Sequence, residues 1–216
     1  MADPIFWSNV GIDVQTALAT AVPITAITKA APGVATYSGV VHPANGDYIA
    51  LTATGMHQVN DRLFRIANVN TTAKTFELEG EDTTSFDTFI GGSYRIVTFG
   101  ASFNSVQSIS VSGGDYEKAD VTTIHDSVRK NVPTIAAPLT LSLTNFFDMT
   151  DPGFVECNKA YKSKSKRAIR LRFGTGAKMV MTGYVGAAGV PNGQAQGVVQ
   201  TPVSIEAQNL PTVYAS

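Results

Sequence analysis

The feature that most constrains this chain is a period-two alternation of apolar and small polar residues along most of its length. Leu139, Leu141 and Leu143 alternate with Thr140, Ser142 and Thr144. Ile109 and Val111 alternate with Ser108, Ser110 and Ser112, and Ile169, Leu171 and Phe173 alternate with Arg170 and Arg172. Successive side chains of an extended chain point to opposite faces, so the pattern specifies strands with one face in a core and one turned outward. Further strands are expected at 10–16, 24–29, 33–37, 47–53, 62–69, 74–79, 93–98, 116–123, 178–185 and 198–208. Turn residues separate them: Pro32-Gly33, Asn45-Gly46-Asp47, Gly91-Gly92, Gly113-Gly114, Gly174-Thr175-Gly176 and Asn192-Gly193. The last two read as hairpin connections.

One segment breaks the period. Thr150-Asp151-Pro152 can cap and start a helix, and Phe154, Cys157 and Tyr161 then share one face. Lys159, Lys162 and Lys164 follow near the C-terminal end, where cations suit the helix dipole. The expected fold class is all-β with one short flanking helix at about 151–163.

Composition narrows the function. The chain has 216 residues, of which 44% are apolar and 15% charged, with a net charge of −1. Ordinary soluble domains carry about 25% charged residues. This apolar content excludes a disordered tail, and near-neutrality argues against a nucleic-acid binder with a strong positive field. A sparsely charged surface fits a protein that buries much of itself against further copies. The neutrality is a cancellation. Eight Lys or Arg and no acid lie between Lys159 and Lys178, while nine acids lie between Glu77 and Asp126 and outnumber the bases there, Arg95 and Lys118 among them.

A single cysteine, Cys157, excludes an intramolecular disulfide framework and a Cys-based zinc site. Met1-Ala2-Asp3-Pro4 lacks the basic start and apolar core of a signal peptide, and no apolar run approaches the ~18 residues of a membrane-spanning helix. Cytoplasmic production without a membrane partner is expected.

Two textures divide the chain. Residues 23–98 are a compact run of short strands, and residues 99–216 carry longer alternating strands and the helix. Residues 1–22 read as the first part of the second block, with the first block inserted at a loop, an arrangement that close-lying chain ends tolerate.

No catalytic constellation is present, and no enzyme activity, metal or cofactor is expected. His42, His57 and His125 are far apart and lack metal-ligand spacing. His125-Asp126-Ser127 is no triad, because triad members meet through the fold. Asp148, Asp151 and Glu156 fall where capping and the helix dipole account for them. The basic stretch Lys159, Lys162, Lys164, Lys166, Arg167, Arg170 and Arg172 lacks the interleaved aromatics of single-strand binders, so it reads as an inter-subunit salt-bridging surface rather than a nucleic-acid contact.

From residue 99 onward the chain resembles the major tail tube proteins of long-tailed, siphovirus-type bacteriophages. Carrying the resemblance are Ala119-Asp120-Val121-Thr122-Thr123-Ile124-His125-Asp126-Ser127, the alternating strand Pro138 to Asn145, and Asp151-Pro152-Gly153-Phe154 before a helix. To these are added the strand and turn Arg167 to Gly176 and the final strand 197–209 ending in Leu210-Pro211-Thr212-Val213. Residues 24–98 are similar to a small all-β module inserted in phage tail and fibre proteins, by Asn45-Gly46-Asp47, Asn60-Asp61-Arg62-Leu63-Phe64 and Lys74-Thr75-Phe76-Glu77-Leu78; that pattern has Gly where Asp61 stands.

The resemblance implies a structural virion protein. It implies a β-sandwich whose strands join a ring-wide inner barrel, six copies per ring, and rings stacked into the tube through which DNA leaves for the host. It implies assembly in the host cytoplasm, partners in the tape measure protein and the tail terminator or tip proteins, and passage of double-stranded DNA without specific binding. On this basis Asp115, Glu117, Asp120 and Asp126 are expected at the lumen or between rings. Asp115, Glu117 and Asp120 would sit on an inner-barrel strand paired with 138–145. Loop 124–137, with Arg129 and Lys130, would bridge to the neighbouring ring. The alternative is a tail-tip or fibre protein that binds a receptor or glycan through the inserted module.

Overall fold

The computed structural model describes residues 10–215. The first nine residues of the expected 1–22 segment lie outside the described residues. The chain runs through β1 (Gly11–Leu18), β2 (Val22–Ile27), β3 (Val34–Tyr37), β4 (Tyr48–Thr54), a 3-10 turn at His57–Val59, β5 (Arg62–Asn70), β6 (Thr75–Leu78) and β7 (Gly91–Ser102). There follow β8 (Val106–Ser112), β9 (Tyr116–Asp120), β10 (Asn131–Ala136), β11 (Thr140–Phe146), α1 (Pro152–Ser163), β12 (Lys166–Arg172), β13 (Lys178–Gly186), β14 (Gln200–Ala207) and β15 (Thr212–Tyr214).

Six strands close a barrel in the order β2-β3-β6-β5-β4-β7, with β7 returning to pair with β2. Closure removes open edges that would otherwise template further pairing. Its interior is filled by Ile49, Leu51, Phe64, Ile66, Phe76, Leu78 and Tyr94. The Phe76 and Tyr94 rings meet edge-on at 5.2 Å.

β7 is long because it serves two structures. Its first half pairs with β4, and from Val97 to Ser102 it pairs with β1. It runs unbroken through the expected boundary at 98/99. β1 pairs on its other side with β12, and the sheet continues β12-β13-β14-β11-β8. One face of this sheet buries Val14, Leu141, Leu143, Ile169, Leu171, Val203 and Ile205 against Phe154, Cys157 and Ala160 of α1. A third cluster, Tyr48, Leu63 and Val97 with Ala168, Val180 and Tyr214, packs barrel against sheet. β15 stitches the two together. It pairs with β13, Tyr214 Oη accepts from the Arg65 backbone N–H at 2.6 Å, and Thr212 Oγ1 donates to the Leu63 carbonyl at 3.0 Å.

Two buried carboxylates hold the corners. Asp13 of β1 is 3% exposed, opposite Arg170 on β12 and Ser102 on β7. It accepts from Ser102 Oγ at 2.7 Å, Arg170 Nε at 2.9 Å, and Arg172 Nε and Nη2 at 2.6 and 3.0 Å. Burial alone would push this carboxyl upward. The hydrogen bonds from Arg172, Ser102 and Arg170, with the charge of Arg170, outweigh it and hold the group below the usual carboxylate range. Asp151 caps α1 by accepting from Phe154 N at 3.1 Å. Its second oxygen takes Asn104 N and Ser105 N at 2.8 and 3.1 Å, so the cap also pins the β7–β8 turn.

The expected elements stand with two additions and two corrections. β10 and β15 lie outside the expected strands. The strand of Asp120 pairs with β10 rather than with 138–145, which lies in β11 between β8 and β14. The reason is the Gly113-Gly114 turn, which carries the chain out of the sheet before β9 begins. Asn192-Gly193 does lie in the connection of an antiparallel pair, β13 and β14, but as part of a long loop, 187–199, with a bridge from Asn192 to Gln200, and not as a tight turn. Asp61, standing where the small module has Gly, takes the left-handed conformation itself at φ 56°, which Asp tolerates better than most residues.

Three outcomes follow. Asp13→Ala strands two guanidinium groups at the junction and should lower stability by about 3 kcal/mol in denaturant titration, the low end for breaking a buried pair. A carboxyl lower in the folded than in the unfolded state adds stability that is fully present above ~3.9 and drains as pH falls through the folded value. Asp13→Asn should therefore flatten the acid limb below about pH 4. Asp151→Ala should cost about 1–2 kcal/mol and expose the β7–β8 turn to hydrogen exchange.

Candidate functional site

The described residues contain no cluster of His, Cys, Asp and Glu able to hold a metal, and the clefts are open surface features. The chemistry-bearing features are surfaces, and the most prominent is an arm built from β9 and β10. Gly113 and Gly114 both adopt left-handed backbone, φ 81° and 84°. A Cβ on Gly113 would stand 2.1 Å from the Pro138 carbonyl oxygen, so the shoulder of the arm requires glycine. Gly114 N donates to Ala137 O at 3.1 Å and Ala137 N to Asp115 O at 2.8 Å, closing the base.

β9 and β10 pair with each other and with no other described strand. Every residue from 110 to 135 is exposed except Asp126, which is half-buried. The apolar members are unusually bare: Ile124 is 97% exposed, Ile135 79% and Val128 72%, with Tyr116, Val121 and Val132 beside them. Monomeric soluble proteins rarely display so much contiguous apolar surface unless it meets a partner.

The arm gathers six of the expected site residues. Asp115 and Glu117 stand exposed on or beside β9. Asp120 accepts from Arg129 Nε at 2.9 Å, and Asp126 pairs with Lys130. Two of the four acids expected at the lumen or between rings, Asp120 and Asp126, thus pair at the tip with the two bases expected in the bridging loop. Thr122 and then Arg129 hold the Asp120 carboxyl below its ordinary range, and Lys130 and Thr123 do the same for Asp126. The signal missed was pairing between the two sides of one hairpin, legible only once 131–136 is read as a strand.

Most of the basic stretch has partners within the chain. Arg170 and Arg172 are committed to Asp13 of the same chain, and Arg170 also lies 4.6 Å from the Phe99 ring centroid. Lys159 pairs with Glu156 at 2.6 Å, Lys166 with Asp61 at 3.3 Å, and Arg167 donates to Ser165 Oγ at 2.8 Å. Lys162 and Lys164, exposed at the end of α1, have no carboxylate partner among the described residues. Their neighbours have intramolecular roles that the sequence spacing did not reveal.

Sequence reasoning passed over the outer face of β8, β11 and β14 as a set. The register aligns Ser110, Ser142 and Ser204 in one rank, Ser108, Thr144 and Pro202 in a second, and Ser112, Thr140 and Glu206 in a third. All nine are exposed or half-buried, and Glu206 is the single charged residue among them. β8 pairs only with β11, leaving its other edge open among the described residues. At the end of the sheet away from the arm, Phe146, Phe147, Met149, Val190, Val198 and Val199 are exposed, with Phe147 N donating to Val199 O at 3.0 Å.

No curated protein matches the chain. The model of the phage tail tube protein family, TTP, matches residues 54–216, taking in β5 to β15, the arm, the helix and the hydroxyl-bearing sheet. The match covers more than half of the sequence, and the chain belongs to the phage tail tube protein family.

Proposed function

We propose that this subunit forms stacked hexameric rings whose joined sheets wall the channel of the tail tube, the conduit for DNA ejection into the host. Family membership makes it a structural component of the virion tail; ring number, stacking and the channel are this reading's additions. The observation that carries it is the arm, a hairpin held out from the body with its apolar side chains in solvent. A two-stranded hairpin alone is marginal in water, so an arm of this kind gains its stability by docking. In this reading it docks on the next ring, against the exposed Phe146, Phe147 and Met149 end of the sheet above or below it. Such a head-to-tail contact does not close and so propagates as a filament.

The open edge of β8 would pair with a neighbouring subunit, and closing a sheet around a ring removes its edges. The Ser and Thr face of β8, β11 and β14 would then line the channel. It offers duplex phosphates no Lys or Arg, and such contacts are what hold DNA to a protein. Asp115, Glu117, Asp120 and Asp126 would lie between rings rather than on the channel wall. Lys162 and Lys164 would remain on the outer side for contacts between subunits. The barrel, most of the 23–98 module, would project outward as decoration. The tape measure protein would fill the channel before ejection, and terminator and tip proteins would cap its ends. Assembly would take place in the host cytoplasm.

Electron microscopy and sedimentation of the purified protein test the assembly. The native subunit should give rings or tubes. Ile124→Asp combined with Ile135→Asp should leave the fold intact by circular dichroism and abolish stacking; tubes of normal length from that variant would sink the role of the arm. Ser142→Lys tests the wall. It should leave tube formation intact and confer salt-dependent DNA retention that strengthens linearly as log[salt] falls. A cryo-EM map with Ser142 away from the lumen would remove that assignment.

A further inference from the structure

We infer that Asn145 and Thr201 together hold an internal water molecule, a buried site at the end of the β11–β14 ladder. The two residues are direct partners in that ladder, and both side chains turn to the face that carries the core. Asn145 is 1% exposed and Thr201 2%. Asn145 Oδ1, Asn145 Nδ2 and Thr201 Oγ1 are all buried and none has a protein hydrogen-bond partner among the described residues. Three orphaned polar atoms on two facing residues are not accidental neighbours. Left unmade, each such hydrogen bond costs as much as desolvating the group.

The three atoms form the shell a buried water requires. Such waters make about three hydrogen bonds to otherwise unsatisfied polar groups. Here the amide offers one acceptor and one donor, and the hydroxyl can serve either way. Asn145 and Thr201 are both uncharged, so the pair offers a cation or an anion no countercharge. One rung inward on the same face lie Leu143 and Val203, both buried, while one rung outward lies Phe147, 46% exposed and bonded through its backbone to Val199.

The site has a structural consequence. A two-residue slip of β11 against β14 would set Asn145 opposite an aliphatic residue and leave it with no shared ligand. The water-bridged pair therefore fixes the register of the strand that carries Thr140, Ser142 and Thr144.

The test is a thermal-melt cycle on the full chain with Thr201→Val, Asn145→Leu and the double variant. Thr201→Val is close to isosteric and carries the test alone should Asn145→Leu fail to fold. If water bridges the pair, removing one partner strands the rest: Thr201→Val should lower Tm by about 2–6 °C, Thr201→Ser should stay nearer the native value, and the double variant should recover most of the loss. A rise in Tm with Thr201→Val would mean that the hydroxyl is a true orphan and would overturn the inference. So would additive effects in the double variant, or a high-resolution map with no density between the two side chains. None of these outcomes bears on ring formation, so the inference stands or falls apart from the proposed assembly.

Discussion

Everything in this subunit hangs on a buried carboxylate at the meeting of three strands. Asp13 on β1 faces Ser102 on β7 and Arg170 and Arg172 on β12. β7 leads into the barrel and β12 into the sheet, so this ion cluster is the electrostatic joint of the two halves. An unpaired carboxylate in such a place would cost far more than folding could offset. With three donors it is tolerable, and losing either side leaves an uncompensated charge. The partners are about 90 and 160 residues apart in the chain, so the joint forms only when β1, β7 and β12 are all in place. Tyr48, Leu63 and Val97 against Ala168, Val180 and Tyr214 supply the apolar part of the same joint.

That joint also explains the cancelling charges. A run of bases near residues 159–178 and a run of acids between 77 and 126 suggest two complementary patches that meet across subunits. Much of the imbalance is met within the chain. Arg170 and Arg172 go to Asp13, Lys166 to Asp61, and Arg62 to Glu81 at 2.5 Å. Asp120 and Asp126 go to Arg129 and Lys130. The surface left for partners is therefore richer in hydroxyls and aliphatics than in charge, and this follows directly from a chain with 15% charged residues.

What the sequence disclosed depended on whether a strand has one wet and one dry face. β11, β12 and β14 do, and their alternation is legible; β8 alternates in sequence although Ile109 is only half-buried and Val111 exposed. β10 does not. Both its faces are exposed and it contains Pro133, so neither alternation nor propensity marked Asn131–Ala136 as a strand. Missing it hid the arm, and with it the pairing of Asp120 with Arg129. The helix was legible because Asp151-Pro152 carries a local signal, cap then first-turn proline. Asp13 carried none: one acid in an apolar strand declares nothing until its partners arrive from far along the chain. The orphaned polar atoms of Asn145 and Thr201 were equally silent, since Asn and Thr suit an outward face as well as a hydrated inner one.

The arm raises a question of energetics that its own ion pairs answer. A free hairpin loses conformational entropy when it docks, and that loss subtracts from the affinity of the contact. Here the tip is partly ordered in advance. Thr122 and Lys130 hydrogen-bond across it, with Lys130 N donating to Thr122 Oγ1 at 2.9 Å, and Asp126 accepts from Thr123 N at 3.0 Å. The two ion pairs are exposed and worth little as stability, yet they restrict the geometries the tip can take. Ile124 and Val128 are thereby presented on a shaped loop rather than a slack one. In the proposed tube, docking then buries apolar area at a smaller entropic cost. The charges at the arm's tip serve chiefly to aim its hydrophobic residues, while those residues supply the association energy.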